Sequence, residues 1–174
     1  MLRHGVKKVF GFDVPVTMMM GIKNTIEAGI HANCTWIMGY PGESLYDLKA
    51  TVAFIRWQEE VLMESYQKNS QSWRLASEAI NKNMFVATAY PGTEMFRDPI
   101  VRKALINGFD IKYINGKPVF DENLESYVEQ LNDATDLIWR KDGGLLQYSL
   151  MPDSLFLEIR DIINNGNLFD ILEL

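Results

Sequence analysis

The tripeptide Tyr-Pro-Gly occurs twice in this chain, at Tyr40-Pro41-Gly42 and Tyr90-Pro91-Gly92, fifty residues apart. Each copy closes an apolar run, and each is followed by an acid and a hydroxyl residue, Glu43-Ser44 in the first case and Thr93-Glu94 in the second. Proline fixes one turn position, and glycine supplies the positive φ that the next position of a type II turn wants. The remaining reactive side chains form no recognisable catalytic set. Cys34 is the single cysteine, which excludes an internal disulfide, a structural zinc tetrad and a self-contained iron-sulfur cluster. As one residue of an apolar run it reads as a small buried group rather than a reactive thiol. His4 and His31 have no metal-ligand spacing with acids. Asp110, Asp121 and Glu122 fall in a turn-rich stretch and read as solvated acids. Glu43 reads equally as a hydrogen-bonding residue that supports a site and as a first-turn helix acid stabilised by the helix dipole. Tyr40, Trp36 and Trp57 suit a pocket lining and a packed core equally well. No Ser-His-Asp or Cys-His arrangement, P-loop or dinucleotide fingerprint is present.

The elements that must carry these turns follow from patterning. Val6 to Phe12 reads as a short strand or an extended lead-in. Thr17 caps a helix from about Met18 to Ala28, stopped by Gly29, with Met18 to Met20 as packing residues. Ile30 to Gly39 is apolar on both faces, as a strand of a helix-covered parallel sheet would be. A helix opens at Ser44, with Asp47 three residues on as in a capping box, and runs to about Val61. After a polar stretch with a surface helix near Ser72 to Ile80, Met84 to Ala89 forms the second strand. Two strand, turn and helix units in order point to a parallel α/β sheet or barrel. Beyond Asp98-Pro99 the character changes. Asn107-Gly108, Asn115-Gly116 and Lys117-Pro118 mark turns around a β-like piece from Ile111 to Ile114. An amphipathic helix follows from Glu122 to Trp139, ended by Asp142-Gly143-Gly144. A last helix covers Asp153 to Asn164 with Gly166 as its stop, and Asn167 to Leu174 docks back as a final turn.

At 174 residues the chain has room for one domain with an appendage. Hydrophobic residues are 47% and charged residues 23%, an ordinary globular balance. The net charge of -6 gives no footprint for nucleic acid, no apolar run reaches the roughly 20 residues of a membrane helix, and the N-terminus lacks a signal segment. Two parallel strands cannot bury both faces without neighbours. Strand counting therefore gives the expectation that Met1 lies inside an ancestral gene, so that the chain is a fragment, a split subunit or a degraded copy.

The stretch Gly29-Ile30, Thr35-Trp36-Ile37-Met38-Gly39-Tyr40-Pro41-Gly42-Glu43-Ser44, Asp47-Leu48, Thr51-Val52 and Phe54-Ile55 resembles the fifth βα unit of radical S-adenosylmethionine enzymes. The nearest groups are the cobalamin-binding members and the methylthiotransferases. Ala89-Tyr90-Pro91-Gly92-Thr93-Glu94-Met95-Phe96 resembles their sixth unit. The resemblance covers about residues 20 to 98, and the segment from 100 onward resembles nothing comparable. It implies an α/β fold, a partial parallel βα barrel made of the last units of a radical S-adenosylmethionine barrel over 1–99, with a mostly helical C-terminal extension over 100–174. It places Ile37 and Gly39, with Tyr40 in the same turn, against the adenine of S-adenosylmethionine, and main-chain groups around Ala89 and Tyr90 at the adenine edge. A glycine lets the backbone approach a flat ring, and main-chain N–H and C=O groups can read a base edge without charge.

Three departures bear on activity. The CxxxCxxC cluster motif and the glycine-rich segment that holds the methionine amino group are absent, and Thr35 replaces a frequent glycine. Without three thiolates there is no cluster to donate the electron that cleaves the sulfonium bond. The parent would use a four-iron cluster, and cobalamin carried by an N-terminal domain in that group, for methyl transfer or other radical chemistry on a small-molecule substrate. The chain itself is expected to supply the adenine-side wall, to be inactive alone, and to lie in the cytoplasm. Its expected partner is the missing N-terminal barrel half or another subunit, with no role for nucleic acid or membrane. Two rival readings are a non-catalytic assembly subunit that completes a barrel with another chain, and an unrelated phosphate-binding α/β barrel fragment.

Overall fold

The structure, a computed structural model, describes residues 5–109, 112–115, 117–119, 122–133 and 137–174. His4, Asp110, Ile111, Gly116 and Asp121, singled out above, lie outside them. The chain is mixed α/β and divides into two compact units, each with its own core. Among the described residues every sheet has two strands.

The first unit comprises Met1–Trp36, Leu45–Met84 and Glu158–Leu174. Strand β1 (Val6–Val9) pairs antiparallel with β2 (Phe12–Pro15), so the expected single strand is a hairpin. Phe10 and Gly11 form its turn with φ of 47° and 87°, the two positive values a type I′ turn requires. A phenylalanine in the position usually held by asparagine hides this turn from a sequence reading. Helix α1 (Val16–Glu27) starts from Pro15 rather than from a Thr17 cap, because proline's fixed φ already suits the approach to a helix. Of its three methionines only Met19 is buried. Gly29, at φ 75°, donates to the Ile26 carbonyl while Ile30 donates to that of Thr25, a Schellman ending.

Helix α2 (Leu45–Trp57) buries Leu48, Val52, Ala53, Phe54, Ile55 and Trp57. It passes into a π turn over Gln58–Leu62 and a 3-10 turn over Met63–Ser65. Trp36 meets Phe54 edge-on at 5.7 Å and Phe54 stacks on Trp57 at 5.5 Å, so both tryptophans are core residues. Helix α3 (Gln71–Ala79) is capped by Ser70, whose hydroxyl accepts the Trp73 N–H at 3.1 Å. The C-terminal 3-10 turn over Leu168–Glu173 docks on α2 as expected: Leu168 and Ile171 are buried, and Lys49 Nζ donates to the Leu172 carbonyl at 3.2 Å.

The second unit comprises Ile37–Ser44 and Phe85–Leu157. It holds the ends of β3 (Trp36–Met38) and β4 (Met84–Val86), which are hydrogen-bonded neighbours. The ten-residue strand expected over Ile30 to Gly39 contracts to three, with Ile37 exposed instead of buried. Among the described residues it has one strand neighbour in place of two, so little prolongs its ladder. After β4 come α4 (Glu94–Arg97), α5 (Pro99–Phe109), the antiparallel hairpin of β5 (Lys112–Ile114) and β6 (Lys117–Val119), and α6 (Glu122–Asp133). Helix α5 occupies a stretch read as turns, because Asn107-Gly108 is accommodated inside a helix that buries Val101, Leu105 and Phe109. The helix expected to reach Trp139 does not extend to that residue, and is described over Glu122–Asp133. Ile138–Trp139 is strand β7, paired antiparallel with β8 (Leu145–Leu146), and Asp142-Gly143-Gly144 belongs to the connecting turn. Helix α7 (Asp153–Asn164) follows with the bounds expected for it, and Gly166 ends it at φ 79°.

The second unit's core gathers Ala89, Phe96, Val101, Leu105, Phe109 and Tyr127 with Leu131, Ile138, Leu146 and Tyr148. Val101, Leu105, Phe109, Tyr127, Leu131, Ile138, Leu146 and Tyr148 therefore share a core with Ala89, just past the end of β4. Among the described residues no helix is long and apolar enough to cross a membrane.

Candidate functional site at two adjacent strand ends

All five residues that the resemblance assigns to a cofactor, Ile37, Gly39, Tyr40, Ala89 and Tyr90, lie in the second unit. The Ala87 N–H, one residue past β4, donates to the carbonyl of Met38, the last residue of β3, at 2.8 Å. The C-terminal ends of the two strands therefore lie side by side, and both Tyr-Pro-Gly turns leave from that edge.

At the first turn Gly39 has φ 80°, a left-handed conformation that favours glycine. A Cβ there would stand 3.0 and 3.1 Å from two ring carbons of Phe156 on α7. The Gly39 N–H donates to the Glu43 carboxylate at 2.6 Å, a short charge-assisted bond that folds the turn back on its strand. Glu43 thus supports the turn. Its own N–H donates to the Tyr40 carbonyl at 2.9 Å. From across the unit, the Gly42 N–H donates to the Tyr148 carbonyl at 3.2 Å and the Leu150 N–H to the Glu43 carbonyl at 2.8 Å.

The second turn is held by different means. Gly92 has φ 91°. The Thr93 hydroxyl donates to the Tyr90 carbonyl at 2.7 Å and accepts the Phe96 N–H at 3.2 Å, so one side chain closes the turn and caps α4. Ala89 is fully buried, and its carbonyl accepts a hydrogen bond from the Tyr127 hydroxyl on α6. Tyr127 packs against Phe109 at 5.1 Å and Phe96 at 6.4 Å. Burial pushes the Tyr127 hydroxyl far above the ordinary tyrosine range, reinforced by Tyr148 and Tyr90. Burial also raises the Tyr148 hydroxyl, against the opposing pull of contacts with the Tyr127 hydroxyl and the Ala89 backbone.

These bonds divide the candidate residues into two sets. The main chain at Gly39 and Ala89 and the Tyr40 and Tyr90 carbonyls are engaged within the protein. What faces outward is side chain: Ile37 is 52% exposed, Tyr40 57%, Phe85 51% and Tyr90 54%. Ile37 and Phe85 are the central residues of the paired strands β3 and β4. Phe85 was missed in the sequence because strand patterning alone does not tell which face lacks cover.

Ile37 and Phe85 in the middle of the paired strands, and Tyr40 and Tyr90 in the turns that follow, expose groups suited to apolar and stacking contact with a flat ring. The Tyr90 carbonyl accepts two bonds from Thr93, its hydroxyl and its N–H, and the Ala89 carbonyl is buried against Tyr127, so the main-chain acceptors of the second turn are used within the protein. The surface fits an adenine by its side chains and main-chain glycine. It does not fit an iron-sulfur cluster, for Cys34 lies in the first unit, its thiol 3.8 Å from Gln58 Oε1 and raised in pKa by burial. No group of three His, Cys, Asp or Glu among the described residues could hold a metal ion. In the first unit a cleft of about 190 Å³ is lined by Asp13, Val14, Met18, Asp47, Thr51 and Phe54 among others, and a second of about 230 Å³ by Lys82 and Gly166 to Asp170. Neither brings together groups that suggest a reaction. No protein-family model, no curated protein and no solved structure matches this chain.

Proposed function

We propose that the second unit supplies the adenine-side wall of an S-adenosylmethionine site, with β3, β4 and their Tyr-Pro-Gly turns acting as the last two βα units of a radical S-adenosylmethionine barrel. The observation that carries this reading is the adjacency of the two strand ends, with Ile37, Tyr40, Phe85 and Tyr90 exposed there. Ile37 and Phe85 would contact the faces of the ring, Tyr40 and Tyr90 would flank it, and Gly39 would keep the backbone close. When bound, the cofactor supplies the group whose transfer or radical chemistry defines the parent family. The cluster ligands, and cobalamin where it is used, would come from another part of the barrel. A reducing cytoplasm suits such chemistry, since the cluster is oxygen-sensitive.

One wall of a site gives weak binding, on the order of 1 mM, or about -4 kcal/mol. Calorimetric titration with S-adenosylmethionine is expected to show saturable binding in that range. Ile37→Asp, which puts on the apolar wall a hydrated carboxylate that a bound adenine would have to desolvate, should abolish it. Binding that is absent from the unaltered chain, or unchanged by Ile37→Asp, is incompatible with the proposal.

The half-exposed Ile37 and Phe85 favour a second reading, in which another chain covers this face and completes the sheet. Sedimentation of the chain mixed with a separately made N-terminal barrel half separates the two: a stoichiometric complex supports assembly, and two independent boundaries count against it.

A further inference from the structure

Tyr148 touches both turns. Its carbonyl accepts the Gly42 N–H of the first at 3.2 Å. Its side chain, almost fully buried, lies in the same core as Ala89 and Tyr127. Two residues on, the Leu150 N–H bonds the Glu43 carbonyl at 2.8 Å, a second fastening of the same segment to the first turn. Tyr127 reaches the Ala89 carbonyl from α6. Among the described residues the strand ends share the Ala87 to Met38 bond and no further pairing beyond it. A two-stranded sheet of three-residue strands is marginal by itself. The spacing of the two turns is accordingly fixed from outside the sheet.

From these contacts we infer that Tyr148 is the positioning residue of the site, and that the segment from Gln147 to Met151 locks the two Tyr-Pro-Gly turns into one rigid surface. This gives the residues beyond 100 a function: they hold the turns at the separation a flat ligand needs. Preorganisation of this kind raises affinity by removing the ordering cost of binding. The lock deepens the proposed adenine wall and rests on it for its purpose, although its mechanical content stands apart from any ligand.

The test is amide hydrogen exchange of Gly42, Ala89 and Ala53, read by NMR on glycine- and alanine-labelled protein, comparing the unaltered chain with Tyr148→Phe. Removing the hydroxyl loosens the packing of the core that holds Ala89 while leaving the carbonyl to Gly42 in place. A lock predicts that exchange at Gly42 and at Ala89 accelerates together, by at least tenfold more than at Ala53 in the first unit. Acceleration at Ala89 alone overturns the proposal, because the two turns then open independently. Equal acceleration at all three sites also overturns it, as general destabilisation. If Tyr148→Phe does not fold, the unaltered chain decides: in rising urea, Gly42 and Ala89 should exchange through one common opening with the same denaturant dependence, and two separate openings refute the lock. Titration of the same samples with S-adenosylmethionine keeps the two ideas apart. Joint opening without binding removes the adenine reading and leaves the lock, whereas unaltered binding in Tyr148→Phe together with joint opening shows that the lock does not serve this ligand and overturns its positioning role.

Discussion

Two independent constraints meet at Gly39. Its backbone is left-handed, which costs an L-residue about 1–2 kcal/mol, and a methyl group there would press on Phe156. Overpacking of that order costs about 1–3 kcal/mol. Gly39→Ala is therefore expected to lower unfolding free energy by about 2–5 kcal/mol in urea titration. A loss under about 1 kcal/mol would show that Phe156 yields freely and that the turn is not held as described. The tyrosines make a separate expectation about pH. Unfolded tyrosines ionise near 10, while burial holds the Tyr127 and Tyr148 hydroxyls protonated above that. The unfolded chain thus loses these protons first, so their contribution to stability is complete below pH 10 and declines as pH rises beyond it. Each fully retained proton contributes a slope of about 1.4 kcal/mol per pH unit. Urea midpoints measured from pH 9 to 11.5 should fall more steeply than in Tyr127→Phe. The two Pro-Gly turns were visible in the sequence because they are local. Tyr127 and Tyr148 were not, since their contacts with Ala89 span long sequence separations that no spacing rule reaches.

At the scale of elements, the sequence was most informative where one helix face and a strong stop coincide. Helix α7 and its Gly166 ending, the Gly29 stop of α1 and the Thr93 cap were all readable, because caps and stops are single-residue effects. Hairpins were harder. Phe10-Gly11 lacks the usual asparagine, and Asp142-Gly143-Gly144 serves a helix end and a hairpin turn equally well as a sequence. Strand length was overestimated, because apolar density reports burial while pairing sets strand extent. Ser70→Ala, which strips the hydroxyl from the N-cap of α3, should cost about 1 kcal/mol. Thr93→Ala removes a cap and also the bond to the Tyr90 carbonyl. Its distinguishing result should be faster amide exchange at Thr93, which donates to that same carbonyl, whereas Ser70→Ala leaves Thr93 unaffected. Equal exchange at Thr93 in both variants would mean that the threonine hydroxyl does not hold the second turn.

Among the described residues, three of the four small sheets are antiparallel hairpins whose strands are close in sequence, and only β3 and β4 pair across a long separation. That one pair carries both motifs, and its outward residues are apolar without being buried. Substituting them should separate binding from folding. Phe85→Ser and Ile37→Asp remove groups that are already about half in water, so each should change unfolding free energy by less than about 1 kcal/mol. The most direct measurement of the central claim is the place where S-adenosylmethionine lands, read as methyl and aromatic NMR shift changes on titration to saturation. The adenine-wall account expects concentration-dependent shifts at the Ile37 methyl group and the Tyr40, Phe85 and Tyr90 rings, with intermolecular contacts from the adenine protons to Ile37. Shifts confined to the Lys82 and Phe169 region of the first unit, or no shifts at all, would contradict it.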